Sequence, residues 1–213
     1  MWAIWFMRNK VIFEDCPNKI VDAVFSFTTM VREYKAYACK VFDLRDQSTS
    51  LASQWSPPES NWIKINVDAH MANGTDKGLG AVCRDNHGNL ILVGVRGVQA
   101  TWSTAVSELT VAGFGVELAI RLGFSHIHLE GDNVVVFKEI TNSSSGFSPF
   151  YVLLDQIRSL LSSFRGVRRS VVRRSGNTAA HMVARWNLGS FGDTIYMHYF
   201  PQSLISLVTL DLI

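Results

Sequence analysis

From Trp62 to Asp68 apolar and polar residues alternate, in the run Trp-Ile-Lys-Ile-Asn-Val-Asp. A period of two predicts a strand with one face buried. Leu79–Arg84 gives a second strand and Leu90–Arg96 a third. The strong turn chemistry of Asp85-Asn86-His87-Gly88-Asn89 lies between them, so the three form an antiparallel meander. The period then becomes helical over Ala105–Leu122, closing at Gly123, a favoured helix stop. Ile127–Glu130 reads as strand four and Asn133–Thr141 as a helix. Asn142-Ser143-Ser144-Ser145-Gly146 is a loop, Pro149–Phe164 a helix, Val167–Arg173 strand five, and Thr178–Trp186 a last helix. A meander followed by alternating strands and helices implies an α/β fold: a five-stranded mixed sheet, antiparallel then parallel, flanked by helices.

The flanks read differently. Ile20, Val24, Phe27, Val31, Tyr34, Ala38 and Val41 recur at spacings of three and four, which predicts an amphipathic helical appendage over residues 1–46. Residues 47–60, rich in Ser, Thr, Gln and Pro, are expected to be a linker. The domain proper covers 61–190, and 191–213 is a segment expected to dock onto it. The apolar start, Met1–Met7, lacks a basic n-region and a cleavage site, which argues against a signal peptide. The helical start at Met1 favours a piece of a longer protein. No uninterrupted apolar run approaches the roughly 20 residues a bilayer span needs, so no membrane partner is expected.

Composition adds little. Of 213 residues, 47% are hydrophobic, as in a globular protein, and the net charge is only +2. Its distribution says more. Arg165, Arg168, Arg169, Arg173, Arg174 and Arg185 crowd one stretch, with no Asp or Glu between Asp155 and Asp193. That stretch is either a phosphate-contacting patch or a solvated face. Cys16, Cys39 and Cys83 show neither a disulfide framework nor zinc-ligand spacing. Free thiols fit a reducing compartment, nucleus or cytoplasm, for a protein that is not secreted.

Candidate chemistry rests on three acids. Asp68 ends the first alternating run, Glu108 opens the first helix of the domain, and Asp132 follows strand four. Buried carboxylates close together are costly unless a cation sits between them, so their convergence suggests a Mg²⁺ site for phosphate chemistry. Each also has a plainer reading. Asp68 would end a strand in a turn, Glu108 would sit at a positive helix terminus, and Asp132 would cap the helix that follows. The tryptophans Trp2, Trp5, Trp55 and Trp62 read as packing residues. His70 would share the strand face of Asp68 if the strand continued, but a loop is expected there.

Taken in order, these residues resemble the plant, retroelement-derived branch of type-1 ribonuclease H. The resemblance is carried by Trp55-Ser56-Pro57-Pro58 with Trp62–Asp68, by Arg84-Asp85-Asn86-His87-Gly88, and by Glu108 with Gly115–Ala119 and Gly123-Phe124. Glu130-Gly131-Asp132 and Arg174-Ser175-Gly176-Asn177 with Ala180-His181 and Ala184-Arg185 complete it, and Trp5 with Arg8-Asn9-Lys10 and Phe13 looks like the segment before the domain. It covers about residues 1–210 and implies a ribonuclease H-like fold. It implies that Asp68, Glu108, Asp132 and His181 are catalytic and hold two Mg²⁺ ions, with Mn²⁺ as the alternative, for hydrolysis of the RNA strand of an RNA–DNA hybrid. Discrimination for RNA would rest on 2′-hydroxyl contacts. Asn133, Arg173, Arg174 and Asn177 would touch nucleic acid, though Asn177 also reads as a helix cap.

Three departures stand out. His181 occupies a position that is often Asp, and imidazole suits softer metals than Mg²⁺. The loop Arg173-Arg174-Ser175-Gly176 has no His, where many relatives carry a mobile one. No Lys/Trp-rich extra helix lies between Asp132 and His181. Two other classes compete with the nuclease: a catalytically decayed, domesticated nucleic-acid-binding module, and a protein-interaction domain using the terminal segments.

Overall fold

The alternation at Trp62–Asp68 becomes strand β1, Ile63–Ala72, in the computed structural model of the chain. The structure describes residues 51–72, 75–142, 144–146, 148–186 and 191–212, with Thr28 and Arg32 besides. The expected appendage over 1–46 and the start of the expected linker therefore lie outside the described residues.

β1 runs past Asp68 because its pairing does: it is antiparallel to β2, Asp76–Arg84, all the way to Ala72↔Asp76. β2 pairs with β3, Leu90–Gln99, completing the meander. The turn between them is tied by Asp85, whose Oδ1 accepts the backbone N–H groups of His87 and Asn89, each at 2.8 Å. Helix α1, Thr104–Arg121, starts at Ser103, whose hydroxyl accepts the Val106 N–H, and stops before Gly123, which takes φ +71°. β4, His126–Gly131, lies parallel to β1, and β5, Gly166–Val171, lies parallel to β4. Between them run α2, Val134–Thr141, and α3, Pro149–Leu161. A short 3₁₀ turn, Arg174–Gly176, leads into α4, Thr178–Val183.

The expected five-stranded mixed sheet is present, and a sixth strand extends it. β6, Gly192–Tyr196, adds antiparallel to β3, so the order is β5–β4–β1–β2–β3–β6. A last helix, α5, follows at Gln202–Leu210.

The two faces of the sheet differ. Ile65, Val67, Leu79, Ala81, Ile127 and Leu129 point to one side, where α1, α2 and α3 close a large apolar core with Leu109, Phe114, Phe137 and Leu154. The other side is split. Beneath β2 and β3, Val82, Val93 and Val95 pack on Ala179, Ala180 and Val183 of α4 and on Leu204 and Val208 of α5. α4 lies so close that a Cβ on Gly80 would fall 2.4 Å from the Ala184 nitrogen. Beneath β1 and β4 the same side is polar, with Lys64, Asn66, Asp68 and Glu130 all buried. Residues 51–58 help cover it: Ala52 bridges to Val172 and Trp55 is buried over Arg84, 3.7 Å from ring centre to guanidinium. Cys83, a free thiol in the core, is pushed up to about 12 by burial and is inert as a nucleophile.

Candidate metal centre

Asp68, Glu108 and Asp132 converge where β1, α1 and the end of β4 meet. One carboxylate oxygen from each lies within 4.8 Å of the other two. The plain readings of all three fail on geometry. Asp68 sits inside β1, paired with Gly80 across the strands, rather than in a turn. Glu108 is the fifth residue of α1, with no acid in the helix's first turn, so the helix terminus does not account for it. Asn133, not Asp132, caps α2, its side chain accepting the Val136 N–H at 3.1 Å.

Burial makes this arrangement expensive. Glu108 is only 5% exposed; its carboxylate accepts the Ala69 backbone N–H, but its Oε2 has no hydrogen-bond partner among the described residues. Desolvation first, then the charges of Asp68 and Asp132, raise its pKa well above the ordinary carboxylate range. Asp68 is raised by burial against the pull of His181, and Asp132 by burial and then by Asp68. A buried oxygen without a donor, among acids that raise one another, is what a hard cation with oxygen ligands would satisfy. The donor set fits a divalent ion.

His181, on α4, stands beside the cluster. Its Nδ1 is 2.9 Å from Asp68 Oδ2. When Asp68 is ionised its oxygen only accepts, and Nδ1 is then the ring nitrogen that carries the proton. Arg174 Nη2 lies 2.9 Å from Nδ1 and 2.8 Å from Nε2, so the guanidinium sits against the imidazole rather than along one lone pair. Arg174 and Arg185 both act electrostatically on Asp68. They form a basic rim next to an acidic centre.

Among the other residues singled out from sequence, Arg173 precedes the 3₁₀ turn and is exposed. Asn177 is buried, and its side chain does not cap α4: Nδ2 donates to Val67 O at 2.9 Å and Oδ1 accepts from Asn66 at 3.1 Å. The expectation of a loop at His70 is overturned by the length of β1. The ring shares the Asp68 face, 6.5 Å from that of His181, and burial, then Arg185, His181 and Arg174, lower its pKa. The i, i+2 spacing from Asp68 was the available signal.

The fold and the acid triad define a ribonuclease H-like domain. The chain matches the model of the reverse transcriptase-like family over residues 66–187, more than half its length, and it belongs to that family. Similar solved structures include the RNase H1 of the halophilic archaeon Halobacterium salinarum, 22% identical, with a TM-score of 0.54, covering 58% of this chain and 94% of that one. The N-terminal RNase H domain of a Mycobacterium tuberculosis protein, solved as a fusion with maltose-binding protein, is 18% identical at TM-score 0.52, covering 71% and 99%. LC11-RNase H1, isolated from compost and solved in complex with an RNA/DNA hybrid, is 12% identical at TM-score 0.53, covering 60% and 96%. At these identities the likeness is one of fold. No curated protein matches the chain. Among the described residues no helix is long and apolar enough to cross a membrane.

Proposed function

We propose that the protein is a metal-dependent endonuclease that hydrolyses the RNA strand of RNA–DNA hybrids, and that it comes from the plant, retroelement-derived branch of type-1 ribonucleases H. The reading rests on one observation: three carboxylates brought within 4.8 Å, one with a buried oxygen that nothing among the described residues satisfies. Two divalent cations, Mg²⁺ or Mn²⁺, held there by Asp68, Glu108 and Asp132 would supply the Lewis acidity for phosphodiester hydrolysis. The chain's own residues do the rest. Asp68 is presented by a rigid central strand, and His181 holds its Oδ2 from the side. His181 then serves either as a fourth ligand or as the group that orients Asp68. Arg174 and Arg185, with Arg173 and Asn133 nearby, offer donors for phosphate oxygens of the duplex. Burial of the acids keeps bulk water from screening them. Work inside the cell, in nucleus or cytoplasm, follows from the same reading, as does the division into an N-terminal appendage, a linker, the domain and a docking tail.

The test is cleavage of an end-labelled RNA–DNA hybrid in Mg²⁺ and in Mn²⁺. Cut RNA with intact DNA is expected, abolished by Asp68→Asn and by Asp132→Asn. A folded sample that binds hybrid with a steep salt dependence yet cuts it in neither metal rejects the enzyme and leaves a nucleic-acid-binding module.

A further inference from the structure

We infer that Asn177 is a positioning residue for the acid centre: its buried carboxamide, seated by Asn66, sets where α4 holds His181 against Asp68. α4 has six residues, too few for a helix that is stable by itself. Its place must come from what it rests on. Its apolar side rests on β2 and β3 through Ala179, Ala180 and Val183. That contact fixes its height, set by the bare Cα of Gly80.

Its first turn is fixed differently. The Asn177 carbonyl accepts the backbone N–H of His181 at 3.0 Å, the first bond of the helix that carries the imidazole. The side chain of the same residue clamps β1 at Val67 O, one residue before Asp68. So the residue that begins the helix of His181 is bolted to the strand of its partner. A shift at Asn177 moves both ends of the His181–Asp68 contact relative to each other.

Asn66 makes that clamp rigid. It is 0% exposed and every polar position is used. Its Nδ2 donates to Asn177 Oδ1 at 3.1 Å and to Glu130 Oε1 at 3.0 Å. Its Oδ1 accepts from Trp55 Nε1 at 2.9 Å and from Arg84 Nη2 at 3.3 Å. These partners leave one orientation of the Asn66 amide, and with it one orientation of Asn177. Val67 O accepts only from a donor, so the nitrogen of Asn177 must face it.

The experiment reads the His181 ring directly. Long-range ¹H–¹⁵N correlation spectra of the ¹⁵N-labelled chain, with the signal assigned by its loss in His181→Asn, report whether the imidazole holds one tautomer. The wild type is expected to show a fixed Nδ1–H. Asn177→Ala is expected to show averaged nitrogen shifts; if it does not fold, Asn177→Ser is read the same way. Leu204→Ala, a core truncation under the same helix, supplies a control of lowered stability that keeps the wild-type signature. A folded Asn177 variant with the wild-type ring signature overturns the inference. So does a control that loses the signature as well, since stability alone would then explain it. A second readout rests on the nuclease reading: on a hybrid substrate Asn177→Ala should lower kcat on the order of 10- to 100-fold with KM little changed. A wild type that cuts no hybrid overturns that reading and leaves the ring signature to decide Asn177.

Discussion

Two buried polar clusters lie side by side along β1, with Asp68 of one two residues beyond Asn66 of the other, and they are built on opposite principles. In the first, Lys64 pairs with Glu130 at 3.2 Å and Arg84 with Asp211 at 2.6 Å, so each charge has its opposite. Asn66, Asn177, Trp55 and Ser170 fill the remaining positions, and only Arg84 Nε is left without a partner among the described residues. In the second, Asp68, Glu108 and Asp132 face each other, and among the described residues no buried base stands with them, only His181 and the rim of Arg174 and Arg185. Burial lowers the pKa of Lys64 and Arg84 against the pull of their partners, whereas it raises all three acids with their neighbours adding to the rise at Glu108 and Asp132. A fold that balances charge so closely in one cluster and leaves it open in the next has, in the second, three acids that could coordinate a divalent cation.

The contrast is sharpened by breaking the balanced cluster first. Lys64→Met takes the ion-pair partner from buried Glu130, leaving it only the neutral donors Asn66 and Ser170, and urea unfolding should show a loss of about 3–5 kcal/mol. Lys64→Met with Glu130→Gln should recover most of it. Gly80→Ala should come next, since its Cβ meets the backbone of α4 at 2.4 Å. Overpacking of this kind costs about 1–3 kcal/mol, and it should displace His181 from Asp68.

The open cluster should answer with the opposite sign. In chelator-treated protein, Glu108→Gln should raise stability by about 1–3 kcal/mol, because it removes an unsatisfied buried charge. The pH dependence follows. The folded pKa values of these acids lie above their unfolded values, so the folded state binds more protons, and stability falls as pH rises from about 4 through the raised range. The difference between wild type and Glu108→Gln should therefore widen over that window when melts are compared in chelator. The smallest effect concerns His181. As a metal ligand, its replacement in His181→Asp should improve hybrid cleavage in Mg²⁺ more than in Mn²⁺. Equal changes in both metals assign it to orienting Asp68 alone.

What the sequence reveals of this contrast follows from how local each signal is. The period-two run and the turn at Asp85–Asn89 mark the meander, and the change of period marks α1, because each is written within a few residues. The acid triad is legible for a different reason: Asp68, Glu108 and Asp132 each stand against apolar neighbours, and they fall in the order of the motifs that carry the family resemblance. The balanced cluster is not, because Trp55, Asn66, Arg84, Glu130 and Asn177 are scattered over more than a hundred positions and each looks ordinary alone. β6 escapes as well. It is a short edge strand, Gly-Asp-Thr-Ile-Tyr, held by five register pairs with β3 and by Arg96 to Asp193 at 2.6 Å, neither of which its own pattern announces. The end of β1 is misjudged at His70 for the same cause, since its continuation depends on pairing with Lys77 and Gly78 rather than on alternation.

The central claim is that the three acids form a cation site, and thermal unfolding across a divalent titration tests it most directly. The melting temperature of the wild type should rise with Mg²⁺ or Mn²⁺ in a saturable way, as linkage to folded-state binding requires, and that rise should vanish in Asp132→Asn. A wild type that ignores both ions, or a variant that responds as fully as the wild type, would contradict it.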